Sequence, residues 1–397
     1  MRFPSFTDRW VIETIGHFFS LETGITPKTT ENDLYCVDGI PWVNSGELQS
    51  MRLSSVSHRL PKNTVKDLKM KVFPTDTLVM AIYGLEAKGV RGKSSFLGVP
   101  ACISQSCMAF LPKANSIDVL FIYFFLKAKK DILGVKYAQG TKQQNLTSGL
   151  VETFKFCFPS LKEQRRIGFF LELIERRIEA QSKIIEEKER LIKVLNDRLY
   201  EEAPKKRIRF SKISSSFNGL SGKSAEDFGT GYPFVTYLSI LKNHIIPNEG
   251  FGYVSVEENE CQNLLKYGDT LLTLSSETPE EVGVASVYLG ELTPLYLNSF
   301  SLGLRFNDFS FIDPQYAPWL FATSAFRKHI FPFAQGSTRY NLNVPAFMNS
   351  EFEIPNLEDQ QAFSRLIGAL ATEIETNRKV LQEFRRAKKY LLSAMFI

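Results

Sequence analysis

The stretch Ala138-Gln139-Gly140-Thr141-Lys142-Gln143-Gln144-Asn145-Leu146 returns as Ala334-Gln335-Gly336-Ser337-Thr338-Arg339-Tyr340-Asn341-Leu342. From this pair outward, residues 138–200 align with 334–396 at a constant offset of 196 and without a gap. Identities continue at Phe156/Phe352, Pro159/Pro355, Leu161/Leu357 and Gln164/Gln360, and thin out through Ile178/Ile374, Lys183/Lys379, Arg190/Arg386 and Leu195/Leu391. A repeat half the chain long is a duplicated unit, so the sequence predicts two similar ends related by a pseudo-two-fold. Two equivalent halves on one chain suit a target that itself has two halves.

Beyond Pro159 the composition turns to Glu, Lys, Arg, Leu and Ile, with no further Pro up to Tyr200. Apolar residues recur at Ile167, Leu171, Ile174, Ile178, Ile185, Ile192, Leu195 and Leu199, interrupted by Gln181 and Lys188. The second copy repeats the seam at Phe363, Ile367, Leu370, Ile374, Leu381, Phe384, Leu391 and Met395, interrupted by Asn377 and Lys388. Such 4,3 spacing predicts two long helices, each about 58 Å, that bury one narrow stripe. Gln181 and Asn377 lie at the two midpoints. An antiparallel pairing brings them level, where paired amides fix register at some cost in stability. A parallel pairing instead requires the intervening segment to carry the chain back the full length.

Ahead of each helix lies a globular segment, so the predicted division is 1–160, helix 161–200, 201–357 and helix 358–397. Short apolar or alternating runs bounded by turn residues (Thr77–Tyr83, Met108–Leu111, Phe154–Phe158, Gly252–Val256, Thr270–Leu274, Ala285–Leu289, Ser301–Phe306) read as strands. Ile117–Lys130 and Pro314–Phe331 read as aromatic-rich helices. The expected class is α+β: two similar globular domains joined by two long antiparallel helices in a coiled coil. A fainter duplication links Gly39-Ile40-Pro41-Trp42-Val43-Asn44 with Gly231-Tyr232-Pro233-Phe234-Val235-Thr236, and Asp76-Thr77-Leu78 with Asp269-Thr270-Leu271. Globular parts that diverge on a scaffold of fixed length fit two different recognition surfaces.

The formal net charge of +5 is unevenly spread: +6 over 1–160, +2 over 161–200, −5 over 201–357 and +2 over 358–397. On charge alone the first half suits a polyanion, and the second requires a local basic patch. The five cysteines, Cys36, Cys102, Cys107, Cys157 and Cys261, are odd in number and show no CxxC spacing, which predicts reduced core thiols in a cytoplasmic protein. No apolar run is long enough to span a membrane, and Met1–Trp10 lacks a signal-peptide layout.

Catalytic patterns fail one by one. Gly92-Lys93-Ser94 and Gly222-Lys223-Ser224 end like a phosphate loop, yet Ala87 and Phe217 stand where its first glycine belongs. No Asn-Pro-Pro-Tyr or Asp-Pro-Pro-Tyr, no Gly-x-Ser-x-Gly and no metal-ligand spacing occurs. The expectation is a binding protein without cofactor or metal.

The loops at 140 and 336 are the best contacts. Lys142, Gln143 and Gln144 in one copy, and Thr338, Arg339 and Tyr340 in the other, combine hydroxyl, basic and amide groups suited to phosphates and base edges. Their shared Gly, Asn and Leu read equally as a structural turn. Lys88, Arg91 and Lys93 form a glycine-punctuated basic loop, fit either for a phosphate backbone or for a solvated hairpin tip. Gln105 with Ser104 and Ser106, roughly matched by Asn298-Ser299, is a polar insertion in an apolar run and reads as facing a groove. Asn44-Ser45 and Thr236-Tyr237 close the repeated strand and complete the candidates.

In this order the residues resemble the specificity subunit of a type I restriction–modification system. The resemblance rests on Gly24-Ile25-Thr26-Pro27, Ile40–Leu48, the twice-used Pro-x-Leu-x-[Glu/Asp]-Gln (Pro159–Gln164, Pro355–Gln360), the loops at 140 and 336, and Gly219–Asp227. It implies two target recognition domains, each reading one half of a split double-stranded DNA site, with paired helices as a ruler. It further implies two methyltransferase subunits docked on the chain, and restriction/translocase subunits joined through them. The chemistry then belongs to partner chains. The acidic second domain departs from what the resemblance implies and points either to partial charge neutralisation by the methyltransferase or to weak DNA binding by the isolated chain. The alternatives are a coiled-coil scaffold with two ligand- or protein-binding ends, and the specificity module of another DNA-modification defence system.

Overall fold

The computed structural model describes residues 2–27, 38–83, 92–113, 117–130, 132–133 and 146–396. Two compact units emerge: Met1–Ser182 with Lys379–Ile397, and Lys183–Arg378. Both boundaries fall inside the long helices Leu161–Glu202 and Leu357–Met395, so each unit takes part of both. Pro204, which has no N–H to offer, stops the first helix just beyond Ala203. Asn356 opens the second, its side chain accepting from Asp359 N at 2.9 Å.

In the first unit a five-stranded sheet runs in the order Phe19–Thr23, Cys107–Pro112, Leu78–Ala81, Ser94–Leu97, Arg52–Leu53. Beside it stand a three-stranded sheet (Arg59–Leu60, Ile40–Val43, Cys102–Ile103) and the ribbon Val11–Thr14 with Lys155–Phe158. Leu78–Ala81 is buried on both faces, which is why its sequence is an unbroken apolar run rather than an alternating one. The helix Val119–Ala128, capped by Asp118, buries Phe121 to Leu126 without interruption. Phe396 packs against it, its ring tilted 5.2 Å from Phe121 and edge-on 6.2 Å from Phe125 between centroids.

The second unit repeats these parts. Ser214–Asn218, Ser301–Phe306, Thr270–Thr273 and Ala285–Val287 form its main sheet, and Gly252–Val254, Phe228–Val235 and Tyr296–Leu297 a second. Lys205–Arg209 pairs with Glu351–Pro355 as Val11–Thr14 does with Lys155–Phe158. The expected single helix over 314–331 is two, Ala317–Leu320 and Ser324–Ile330. Thr323 breaks it: its hydroxyl bonds Leu320 O and caps Phe326 N, while Asp197 accepts from both Ser324 N and its hydroxyl at 2.7 Å.

Within the first unit the helix segments are antiparallel: Glu175 bonds Lys388, whereas Arg177, further along, lies over Phe384. In the second unit Lys188 bonds Glu373 and Glu189 bonds Arg378. The buried stripe of the first helix includes Glu175, Gln181 and Asn196, which an apolar-only pattern omits. Asn196 is held there by donating to Trp319 O at 2.8 Å. Asn377 is half-buried and donates one turn back to Glu373 O at 2.9 Å.

The glutamine of the repeated Pro-x-Leu-x-[Glu/Asp]-Gln locks each long helix to its globular part. Gln164 accepts from Asp118 N at 2.9 Å and donates to Pro159 O at 2.8 Å. Gln360 accepts from Asp313 N and donates to Phe311 O and Pro355 O, all at 2.8 Å. Both amides are buried with their hydrogen bonds satisfied, as an interior amide requires.

Candidate nucleic-acid interface

Each unit builds its candidate surface on the same crossing of two parallel strand ends. In the first, Trp42 pairs with Cys102 and Val43 with Ile103; in the second, Phe234 pairs with Tyr296 and Val235 with Leu297. The same backbone bonds follow: Ser104 N to Val43 O at 2.8 Å, and Asn298 N to Val235 O at 3.1 Å. A glycine lies against each crossing. A Cβ on Gly24 would sit 1.8 Å from Ile103 O, and one on Gly219 would sit 1.9 Å from Asn298 O, so both positions exclude any side chain. Further on, Leu146 N donates to Ile82 O as Leu342 N does to Leu274 O. The registers are therefore equivalent, and the residues just past the crossings are the ones free to differ.

In the first unit those residues ring a cleft of about 730 Å³. Asn44, Ser45 and Gln105, expected at the interface from the sequence, line it together with Thr26, Ser106 and Thr147. Ser104 and Ser106 share a hydroxyl bond of 2.6 Å, Ser45 N donates to Ser106 Oγ, and Gln105 N donates to Thr26 Oγ1. Asn44 is committed to the backbone, because its side chain accepts from Gly46 N while Glu47 accepts from Asn44 N, a capping box. The exposed amide of Gln105 makes no side-chain hydrogen bond among the described residues. Lys93 lies elsewhere, donating to Gln49 and lining a separate pocket of about 170 Å³ with Lys127 and Lys130. Lys88, Arg91, Lys142, Gln143 and Gln144 fall outside the described residues.

In the second unit Thr236 caps the helix Tyr237–Lys242, accepting from Ser239 N at 3.2 Å. The hydroxyl of half-buried Tyr237 is shielded from solvent and has no hydrogen-bond partner among the described residues. Asn298, expected to face a groove, points inward instead. Its Nδ2 donates to Val235 O, and its Oδ1 accepts from Phe300 N and from the Ser301 hydroxyl. The amide thus shapes the loop and leaves Phe300, which follows it, 52% exposed.

The loop at 336 is the tip of a hairpin in which Ala334 pairs with Leu342 and Gln335 with Asn341. Gly336 has φ +148°, and a Cβ there would lie 2.0 Å from Arg339 O. Tyr340 pairs with Ser276 in the same small sheet, and Thr338 is exposed at the tip. Arg339 donates from Nε to Ser275 Oγ at 2.9 Å and lies 5.3 Å from the centre of the Phe300 ring. Sequence reasoning missed Phe300 and Ser275. Counting from the crossing makes Phe300 the counterpart of Ser106, which is the signal that would have found it.

Burial pushes the Cys102 thiol up to about 11 and Cys107 to about 12, so both stay protonated packing groups near the cleft. Among the described residues no cluster of His, Cys, Asp or Glu is arranged to hold a metal ion, and no helix is long and apolar enough to cross a membrane.

Residues 7–190 match the type I restriction modification DNA specificity domain. The chain is 24% identical over 323 residues to the type I restriction enzyme MjaVIII specificity subunit of Methanocaldococcus jannaschii, covering 76% of this chain and 74% of that one. It is 24% identical over 156 residues to the EcoR124I/EcoR124II specificity subunit of Escherichia coli, covering 39% and 38%. The fold resembles the crystal structure of a type I restriction–modification S subunit from M. genitalium, with TM-score 0.63 and 16% identity over 100% of this chain and 99% of that one. A second solved structure, from work on assembly and conformational transition of the type I system, gives TM-score 0.55 at 15% identity over 97% of each chain. The matched domain and these relatives bear out the resemblance to the specificity subunits of type I restriction–modification systems, and the solved structures share the fold.

Proposed function

We propose that this chain reads a bipartite, gapped double-stranded DNA site without catalysing a reaction itself. Residues 1–160 and 201–357 act as the two target recognition domains, and the long helices set the gap between half-sites. Gln181 and Asn377 key the register of the helices. The chain recruits two methyltransferase subunits and, through them, restriction/translocase subunits; it works in the cytoplasm and holds no cofactor of its own. The observation that carries this reading is the equivalence of the two crossings combined with divergence of the residues just past them. One frame used twice with different tips suits two different half-sites. The proposed contacts are Ser45, Gln105, Lys88, Arg91, Lys93, Lys142, Gln143 and Gln144 for one half-site, and Tyr237, Thr338, Arg339 and Tyr340 for the other. Asn44, Thr236 and Asn298 support them by holding the backbone.

Methylome sequencing tests this in cells carrying the chain with its neighbouring methyltransferase, against cells lacking the chain. Loss of one gapped, two-part motif is the expected result; an unchanged set of motifs overturns the reading and favours a scaffold. Inserting one heptad into each long helix is expected to lengthen the gap and leave both half-sites unaltered. A constant gap sinks the ruler.

A further inference from the structure

The second recognition region carries −5 overall, and four of its five arginines are engaged within the protein. Of its five arginines, Arg207 and Arg209 pair with Glu353 and Glu351 across one strand ribbon. Arg305 grips Asp269 through two nitrogens and also bonds Leu264 O. Arg327 is committed to three carbonyls, Gly283, Glu280 and Val282. Arg339 differs. Its Nε is held by Ser275 and one face lies over Phe300, while Nη1 and Nη2 make no hydrogen bond among the described residues.

This is a half-restrained guanidinium. Ser275 is buried on a strand, and Glu281 already accepts the neighbouring Ser276 hydroxyl, so Ser275 is left to fix Nε. Phe300 is fixed in turn by Asn298, whose Oδ1 receives its N–H at 3.0 Å. Gly336 closes the hairpin on the Arg339 carbonyl. Backbone, Nε and ring face are all set, and the two terminal nitrogens project a planar fork. Such a fork matches the paired O6 and N7 acceptors of guanine in the major groove. The same fork also fits a phosphate, and the two are told apart by whether one guanine position or all sites respond to its loss.

Resting on the DNA-reading function above, we propose that Arg339 reads one guanine in the half-site taken by the second unit, with Ser275 and Phe300 as positioning residues. Methylome sequencing of Arg339→Ala, Arg339→Lys, Ser275→Ala and Phe300→Leu beside the wild-type chain tests it. Arg339→Ala is expected to make a single guanine position of one half-site degenerate, cutting discrimination there by about 5- to 150-fold. The other half-site stays intact. Arg339→Lys keeps the charge but not the fork, so it fails to restore that position. Ser275→Ala and Phe300→Leu loosen the same position to a smaller degree. An unaltered motif in Arg339→Ala overturns the proposal, and so does modification that falls evenly over all sites with the guanine still required. Rescue of that guanine position by Arg339→Lys shows that a single cationic donor suffices there, and overturns a reading that depends on the held planar fork. A wild-type chain that directs no gapped motif removes the DNA-reading function itself, a failure separate from that of Arg339.

Discussion

The two units share a frame but fill one buried place in opposite ways. The first encloses an ionic cluster: Glu175 accepts from Lys127 at 3.1 Å and bonds Lys388, while Lys127 also reaches the Tyr123 hydroxyl. The offsets of 195 and 196 that match the glutamine anchors place Ala322, Ala371 and Ile192 at the corresponding positions of the second. Burying charges gains little unless every one is paired, whereas an apolar replacement of the whole set is frequently neutral or better. By sequence position the second copy carries such a replacement. The comparison indicates that the cluster is not a requirement of the frame, only of consistency among its members.

The largest predicted effect breaks this cluster halfway. Glu175→Ala leaves two lysine ammonium groups facing each other without the shared carboxylate, at an expected cost of about 3–5 kcal/mol in unfolding stability. Replacing all three at once by the residues of the second unit (Lys127→Ala, Glu175→Ala, Lys388→Ile) is expected to recover most of that loss. Denaturant unfolding monitored for both variants decides it; a triple variant as unstable as the single one shows that the two places are not equivalent.

A smaller effect is predicted where the units agree. Gln164→Leu and Gln360→Leu each remove an interior amide and strand the backbone groups it served, Asp118 N with Pro159 O, and Asp313 N with Phe311 O and Pro355 O. The expected cost is about 2–4 kcal/mol for either, from two or three unsatisfied groups. Thermal unfolding that shows a loss in only one variant would mean that the repeated motif no longer does the same job twice.

The contrast between agreement and divergence also explains what the sequence made legible. The duplication, both long helices and the anchoring glutamines follow from spacing, because a fixed length and a buried contact leave periodic or repeated residues. The strand Ser301–Phe306 has the bounds its alternation predicts. Polar residues of the buried stripe were illegible, since Glu175 and Asn196 are buried only because Lys127, Lys388 and Trp319 O come from distant segments to meet them. Asn298 looked like a groove residue because polarity in an apolar run reads outward. In the fold it faces inward to satisfy a turn, and the exposed large side chain is the aromatic two residues on, Phe300. Arg339 was legible as a type of side chain, while the free fork depends on Ser275, 64 positions away in sequence.

The mildest prediction concerns charge in the second unit. Lys223, whose Gly-Lys-Ser setting mimics a phosphate loop, has a nearly buried ammonium bonded to Glu260. That bond, with help from Gln262, holds the Glu260 carboxyl down at about 2. A carboxyl lowered on folding contributes stability above its ordinary value near 4.5, and the contribution fades as pH falls towards 2. Stability of the wild type should therefore drop more steeply between these pH values than that of Lys223→Met. The difference between the two is therefore largest near neutral pH and shrinks as pH falls, and it is small throughout because Glu260 is open to solvent on one side and water screens its ion pair. Parallel slopes on acid titration would show that Glu260 does not depend on Lys223. They would also return a free cation to the acidic half, weakening the contrast that singles out Arg339.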